Sequence, residues 1–564
     1  MANLIPPADI ASICAEIEGA HGIHRLRELL GADADAGPEI VAAILEEASK
    51  FNEAHLGPLA GVLDGAGCRL DGGRVRTAPG HIDAWRAYVE AGWLGIDQPL
   101  DAGGQALPLF VLAACQEVFD RSSVAFGMLP TAVRAAARLL GAHASEELKA
   151  EWLPKLVCGE WAATICISEP EAGSDAGRIR TLAEPLSEGR WRITGEKIWT
   201  SYGDHDLADR IGHCVLARTP GAPAGGAGLS LFLVPDTLPG GRNGVIVRRL
   251  EEKLGLHGSP TCALGFEGAQ AWLIGPPGRG LAQLFTMIAV MRLMVSVQGL
   301  AVASAACEVA FAYAEERRQG GPPDAPPRPI AEHADVQRML IAMASRVEVL
   351  RGLIMTTAVQ ADLARIEPDP AAREEAQALT QWLLPIIKTF GGETGFEVAH
   401  EAIQVLGGAG YVRDWPVERL LRDARVFTIF EGTSGMQALD LLHRRLGRDG
   451  GRGLQAFLTL ARDEITHAET AAGASLVSTL ELLEASAARL RGASDADASA
   501  YAFLRLATLA AAGWIALRLT RGAGRQAAAG RAWLAGLDAK ARLESAEIAL
   551  GRGRLSVFED LRRA

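Results

Sequence analysis

Between about residues 161 and 275 the spacing of apolar residues changes, and this restricts the possible folds more than any other feature. "RWRITGEKIWTS", "HCVLART", "LSLFLVPD", "GVIVRRL" and "CALGFEGAQAWLIG" are short runs rich in β-branched and aromatic residues, separated by Gly and Pro. That is the pattern of strands. On either side, as in "PEIVAAILEEASKFNEAHLGPLAGVLD" and "SEELKAEWLPKLVCG", apolar residues recur at three- and four-residue spacing, the period of a helix. At 564 residues the chain is also too long for a single core. The expected architecture is mainly α with a central β domain. Helices fill 1–160, strands 161–275, a four-helix bundle 276–446 and a further Ala- and Leu-rich helical domain 454–564. Within the bundle, 281–319, 331–366, 371–388 and 395–446 read as the four helices. The prolines of "GGPPDAPPRPI" mark an exposed loop there, and "GRDGGRG" (447–453) reads as a linker.

Composition narrows the function by exclusion. A formal charge of -12 with no block of Lys or Arg argues against a nucleic-acid-binding surface. The eight cysteines include no CxxC pair, so no metal site or disulfide framework is implied, and a reducing compartment fits best. The N-terminus lacks the basic and apolar segments of a signal peptide. "LMVSVQGLAVASAAC" follows Arg292 and contains Gln298, and reads as too short and too polar for a membrane span. A cytoplasmic protein without a membrane span is expected.

Three stretches carry candidate chemistry. In "FTIFEGTSG" (427–435) Glu431 directly follows apolar and aromatic residues, and a carboxylate that loses water there gains basicity. Taken alone, a Glu at a helix end is more often solvated. "ICISEPEAGSDAGRIRT" (165–181) is a polar turn in which Gly173, Ser168 and Ser174 could approach a ligand closely. "GEKIWTSYGDHD" (195–206) places Trp199, Thr200 and Ser201 in or beside a strand, where a lone Trp is more often core than a ligand platform. The glycines Gly407, Gly408 and Gly410 of "QVLGGAGY" lack the strand–turn–helix setting of a dinucleotide fingerprint.

Together these stretches resemble the acyl-CoA dehydrogenase family. "SEPEAGSD" is similar to its first signature, "KIWTS" to its flavin-contacting strand, and "QVLGGAGY" with "RDARVFTIFEGTSG" to its second signature. The motifs occur in order from about residue 80 to 446. The "GDHD" and "KLGLHGSPTC" segments and the extra C-terminal helices narrow the resemblance to an enlarged subgroup that includes the 3-methylmercaptopropionyl-CoA dehydrogenases.

The resemblance implies bound FAD. Ile165, Ile167, Ser168, Trp199 and Ser201 would lie against its ring, and Gly173 and Ser174 near its ribityl-phosphate side. Arg317 and Gln319 of "ERRQGG" would meet the diphosphate of a neighbouring subunit's FAD. Gln404, Val405, Gly407 and Gly408 would receive an adenine end across the interface, and Thr433 and Gly435 complete the set. A shared site implies a homodimer or homotetramer. Ser174, Arg292 and Gly432 would touch substrate. Glu431 matches the catalytic base that removes the α-proton of an acyl-CoA thioester, with the β-hydride leaving to the flavin to give a trans-2-enoyl thioester, the chemistry of β-oxidation. In the family the base's own backbone N–H helps to hold the thioester carbonyl. Electron-transfer flavoprotein is the expected acceptor. Two alternatives remain open at this point: an acyl-CoA oxidase reoxidised by oxygen, and a non-catalytic acyl-CoA-binding protein of the same fold. One departure is Ala289, three residues before Arg292, where the family carries Asn or Asp.

Overall fold

The computed structural model describes residues 5–31, 36–467 and 470–563. They form two compact units: Lys50–Leu107 with Ser122–Met291, and Leu4–Ser49 with Pro108–Arg121 and Arg292–Ala564.

The first unit is built on a seven-stranded mixed sheet. Strand Arg190–Ser201 runs antiparallel to Thr261–Ile274, with Ser201 opposite Thr261 and Arg190 opposite Trp272. Leu182–Pro185 pairs with Arg190–Ser201, and through Leu182 with Arg218 of Arg210–Arg218. Leu229–Pro235 pairs with both Arg210–Arg218 and Thr261–Ile274, which closes these strands into a ring. Strands buried on both faces read as continuous apolar runs rather than alternating ones, and "LSLFLVP" is buried at every position. Ile193, Val215, Phe232, Val234, Leu264 and Phe266 fill the core. Trp161–Cys166 lies parallel to Arg210–Arg218 and delivers the chain to the "SEPEAGSD" turn.

The "GDHD" segment has a structural task in this unit. Asp204 accepts hydrogen bonds from the backbone N–H of Val75 at 2.7 Å and from Arg74 Nε at 2.9 Å. Asp206 accepts from the N–H and hydroxyl of Thr77 at 3.1 and 2.7 Å. The two carboxylates thus fasten the hairpin Arg69–Asp71/Arg74–Arg76.

The second unit is helical. Asp369 caps Pro370–Leu406 by accepting from the N–H of Ala372, with Pro at the first helical position. The sequence expectation of a break near 389–394 fails here, because this helix runs unbroken for 37 residues through "GGETG". Its glycines serve a close crossing instead. A Cβ on Gly391 would stand 2.7 Å from the Cα of Ser296, and one on Gly299 would stand 2.0 Å from the carbonyl oxygen of Gly391. The expected fourth helix, 395–446, is likewise divided: Val417–Ala424, a tight turn at Arg425–Thr428, Ser434–Leu439 and the helical stretch Asp440–Arg448.

"GRDGGRG" is a packed turn rather than a tether. Gly450 and Gly451 adopt φ of 67° and 73°, and a Cβ on Gly453 would lie 2.4 Å from the carbonyl oxygen of Ala378. The helices beyond it share this unit. Phe503 packs edge-on against Trp382 at 6.4 Å, and Trp533 against Phe390 at 5.6 Å. Ala500–Leu519 packs on Ser434–Leu439, the short helix that follows Glu431.

Among the described residues, two helices, Gly280–Glu316 and Ala496–Leu519, are long and apolar enough to cross a membrane, which corrects the reading of 293–307 as too short. Each buries 72% of its most apolar window inside the protein, which accounts for its composition.

Candidate active site

The turn that carries Glu431 begins where the chain leaves Val417–Ala424. Phe427 is fully buried in the core, whereas Ile429 is 52% exposed. Phe430 is half-buried, its ring 6.1 Å from that of Phe427. The three apolar neighbours therefore do different things, and only Phe427 is core. Glu431 then adopts φ +53° and Gly432 φ +86°. Left-handed backbone is ordinary for glycine and costs about 1 kcal/mol or more for glutamate. Thr433 restarts the helix, its hydroxyl oxygen accepting from the N–H of Met436 at 3.2 Å.

Two side chains hold this strained turn. Gln437 Nε2 donates to the carbonyl oxygens of Glu431 and Gly432 at 3.2 and 3.1 Å. Lys388, fully buried on Pro370–Leu406, donates from Nζ to the carbonyl oxygens of Phe427 and Gly432 at 2.8 and 2.7 Å. Burial pushes the Glu431 carboxyl above its ordinary pKa, and the charges of Lys388 and then Arg292 draw it partly back. Burial likewise brings Lys388 down to about 8, against the attraction of Glu431. Arg292 is itself engaged, with Nη1 2.5 Å from Oδ2 of Asp440 and the two side chains only 11% and 4% exposed.

The other expected contacts in this unit lie at helix ends and loops. Gln404, Gly407 and Gly408 are exposed where Pro370–Leu406 ends, with Gly407 at φ +61°. The Val405 side chain is buried, so only its backbone can meet a ligand. Arg317 and Gln319 are exposed after Gly280–Glu316, in a loop closed by hydrogen bonds from Ile330 N to Arg317 O and from Gln319 N to Arg328 O. Tyr313, one turn before Arg317, packs edge-on to Trp415 at 5.1 Å, so this loop neighbours the segment after "GGAGY". Gly435 is exposed in the first turn of Ser434–Leu439.

In the first unit, Ile165, Ile167, Ser168, Trp199 and Ser201 come together. The N–H of Ile198 donates to the carbonyl oxygen of Ser168 at 2.9 Å, joining the end of "ICIS" to the "KIWTS" strand. Trp199 is 59% exposed and has φ +59°. The core reading of this Trp fails, since its ring stands on the surface as an open aromatic face. Gly173 and Ser174 are exposed in the adjoining turn, and no atom would obstruct a Cβ at Gly173. A planar, apolar-faced group bearing a polar tail fits these residues.

Lys197 and Glu169 support that turn, although sequence reasoning passed over both inside the quoted motifs. Lys197 Nζ donates to the carbonyl oxygen of Ile167 at 2.9 Å and to Glu169 at 2.8 Å. Glu169 also accepts from the N–H groups of Arg180 and Thr181 and from the Thr181 hydroxyl. Burial alone would raise the Glu169 pKa, but Lys197 and these donors hold it below the ordinary value. Sequence reasoning also missed Lys388, Gln437 and Asp440. The available signal for Lys388 was a single cation inside the apolar run "WLLPIIKTF", since a lysine in such a run is buried only if it has partners.

Residues 39–160, 164–269 and 278–446 match in turn the N-terminal, middle and C-terminal domains of acyl-CoA dehydrogenase. The chain is 40% identical over 424 residues to the 3-methylmercaptopropionyl-CoA dehydrogenase of Ruegeria pomeroyi, covering 74% of this chain and 72% of that protein. It is 36% identical over 386 residues to the broad-specificity linear acyl-CoA dehydrogenase FadE5 of Mycobacterium tuberculosis, covering 65% and 62%. Among solved structures, an acyl-CoA dehydrogenase from Bacillus anthracis complexed with FAD superposes with a TM-score of 0.78 at 21% identity, over 97% of this chain and 91% of that one. The chain is an enzyme of the acyl-CoA dehydrogenase family, whose members are FAD-dependent oxidoreductases.

Proposed function

We propose that this enzyme oxidises an acyl-CoA thioester between its α and β carbons to the trans-2-enoyl thioester, with Glu431 as the base. The observation that carries this reading is the setting of Glu431: a partly buried carboxyl whose pKa burial raises, two cations within electrostatic reach, and a left-handed turn held by Lys388 and Gln437. The α-proton of a thioester is weakly acidic. A carboxylate can take it only if its own pKa is raised toward working pH while part of the population stays ionised at rest. Burial of Glu431 meets the first demand, and Lys388 and Arg292 meet the second. The open face of Trp199, the Ser168 and Ser201 hydroxyls and the exposed Gly173–Ser174 backbone would hold FAD. When bound, FAD supplies the hydride acceptor.

Arg317 and Gln319, together with Gln404, Gly407 and Gly408, are exposed and free to meet a neighbouring subunit's cofactor, which supports assembly as at least a homodimer. The 3-methylmercaptopropionyl-CoA enzyme at 40% identity makes a short thioether acyl-CoA a first choice of substrate, and electron-transfer flavoprotein is the proposed acceptor. The deciding experiment is anaerobic mixing of Glu431→Gln with a good acyl-CoA. Gln nearly matches Glu in volume, so the packing should survive. Retained binding with flavin bleaching slowed by about 10²–10⁴-fold or more is expected of a lost general base. Bleaching at the normal rate refutes the assignment. A panel from short to long acyl-CoAs, including the thioether compound, identifies the substrate. Hydrogen peroxide formed without an added acceptor would instead identify an oxidase.

A further inference from the structure

Lys388 carries more chemistry than an interior helix position requires. Its neighbours in "WLLPIIKTF" are apolar, and an ammonium group among them is unfavourable unless hydrogen bonds and charges offset the lost water. Its hydrogen bonds land on the carbonyls of Phe427 and Gly432, one before Glu431 and one just after it. They span the residue at φ +53°, and Gln437 reaches the same turn from the other end through the carbonyls of Glu431 and Gly432. A left-handed glutamate persists only where its surroundings over-determine it. These four hydrogen bonds do so. They hold the Glu431 backbone in that conformation and so set the direction of its N–H and the point from which its side chain departs.

We propose that Lys388 is the positioning residue of the catalytic base. Its ammonium fixes the 427–432 turn in the strained form that aims Glu431, and its charge favours the ionised carboxylate. The proposal rests on the reading of Glu431 as the base. The charged groups that act on Lys388 are Glu431 from the turn, Arg292 from Gly280–Glu316, and Glu393 from its own helix. Arg292 in turn is tied to Asp440. Lys388 and Arg292 are thus the two cations acting on Glu431; Arg292 also pairs with Asp440 at 2.5 Å, and Lys388 also feels the carboxylate of Glu393. A lysine that merely stopped two carbonyls from going unpaired would affect folding, yet leave the pH profile of the chemical step in place.

The test uses full-length enzyme loaded with FAD and measures flavin bleaching by stopped flow under anaerobic conditions, from pH 5.5 to 9, over a range of acyl-CoA concentrations. For Lys388→Met, flavin content and the substrate concentration giving half-maximal bleaching should change by less than about threefold. The limiting rate should fall by about 10- to 100-fold, the range expected when a reacting group is displaced by roughly 1 Å. The acid limb of its pH profile should move to higher pH, because a carboxylate that loses a neighbouring cation binds its proton more tightly. Lys388→Arg, which keeps charge and donors, should recover part of the rate and return the limb toward its original position.

Glu431→Gln is measured alongside to separate the two readings. Normal bleaching in Glu431→Gln overturns the base assignment itself. Slow bleaching there, with an unchanged rate and unshifted limb in Lys388→Met, overturns only the role of Lys388. If Lys388→Met does not retain flavin, Lys388→Gln replaces it, keeping N–H donors without the charge. A shifted limb in that variant supports the proposal, and an unshifted limb at full rate overturns it.

Discussion

Glu16 should make the enzyme less stable as pH rises, and replacing it with Gln should remove that loss. Glu16 is 2% exposed in the second unit. Burial pushes its carboxyl from 4.5 up to about 8, and Glu348 adds to the rise while Arg351 and Arg518 oppose it. The surrounding network is dense. Arg351 lies 2.8 Å from Glu117 and 2.6 Å from Glu348, and Gln526 Nε2 donates to Glu16 Oε1 at 3.0 Å. A carboxyl that binds its proton more tightly when folded stabilises the native state fully below its unfolded pKa. That contribution is lost progressively as pH rises from there through the folded pKa, here between 4.5 and about 8.

One pH unit of separation corresponds to about 1.4 kcal/mol. The full separation would give nearly 5 kcal/mol, and relaxation of the network around Arg351 and Arg518 reduces a realistic figure to about 2–3 kcal/mol. Glu16→Gln keeps the shape and the acceptor for Gln526 without the ionisation. Thermal unfolding at matched scan rates from pH 5 to 9 provides the measurement. The wild type should lose several degrees relative to the variant between pH 6 and 9, at about 2–4 °C per kcal/mol or somewhat less for so long a chain. Parallel curves for the two proteins across that range would show that Glu16 is already ionised in the folded state and would refute the reasoning.

Gly391→Ala should destabilise the enzyme by at least about 1–3 kcal/mol, the usual cost of overpacking, since its Cβ would sit 2.7 Å from the Cα of Ser296. Denaturant unfolding measures this, and a midpoint within error of wild type would contradict it. Deleting 454–564 should give an insoluble or misassembled protein before it slows chemistry, because it uncovers Trp382 and Phe390 and the support behind Ser434–Leu439. A soluble truncated enzyme with unaltered assembly and full flavin reduction would count against this.

Much of the architecture was legible in the sequence because local chemistry dictates it. The shift from three- and four-residue apolar spacing to short β-branched runs marked the β segment. Asp369 and Pro370 announce a helix start through hydrogen bonding and a preset φ, and both act within a few residues. Glu431 stood out for the same reason, as one carboxylate against apolar neighbours. What the sequence left undecided depends on groups far apart in the chain. Gly391 and Gly392 fall in the break expected between two helices. Gly391 and Gly395 instead form the contact that lets two long helices cross, because a Cβ there would meet Ser296 and Gly299, and Gly392 makes room for Phe427 in the turn before Glu431. Taken alone, without the resemblance, Trp199 read as core, yet at φ +59° it stands 59% exposed. The apolar run around Lys388 gave no partner for its charge. Only the folded chain brings it to the carbonyls of Phe427 and Gly432, 39 and 44 residues away. Short-range hydrogen bonding and side-chain period are written into neighbouring residues. Close packing and the pairing of buried charges depend on which distant segments meet, and that is decided only when the tertiary structure forms.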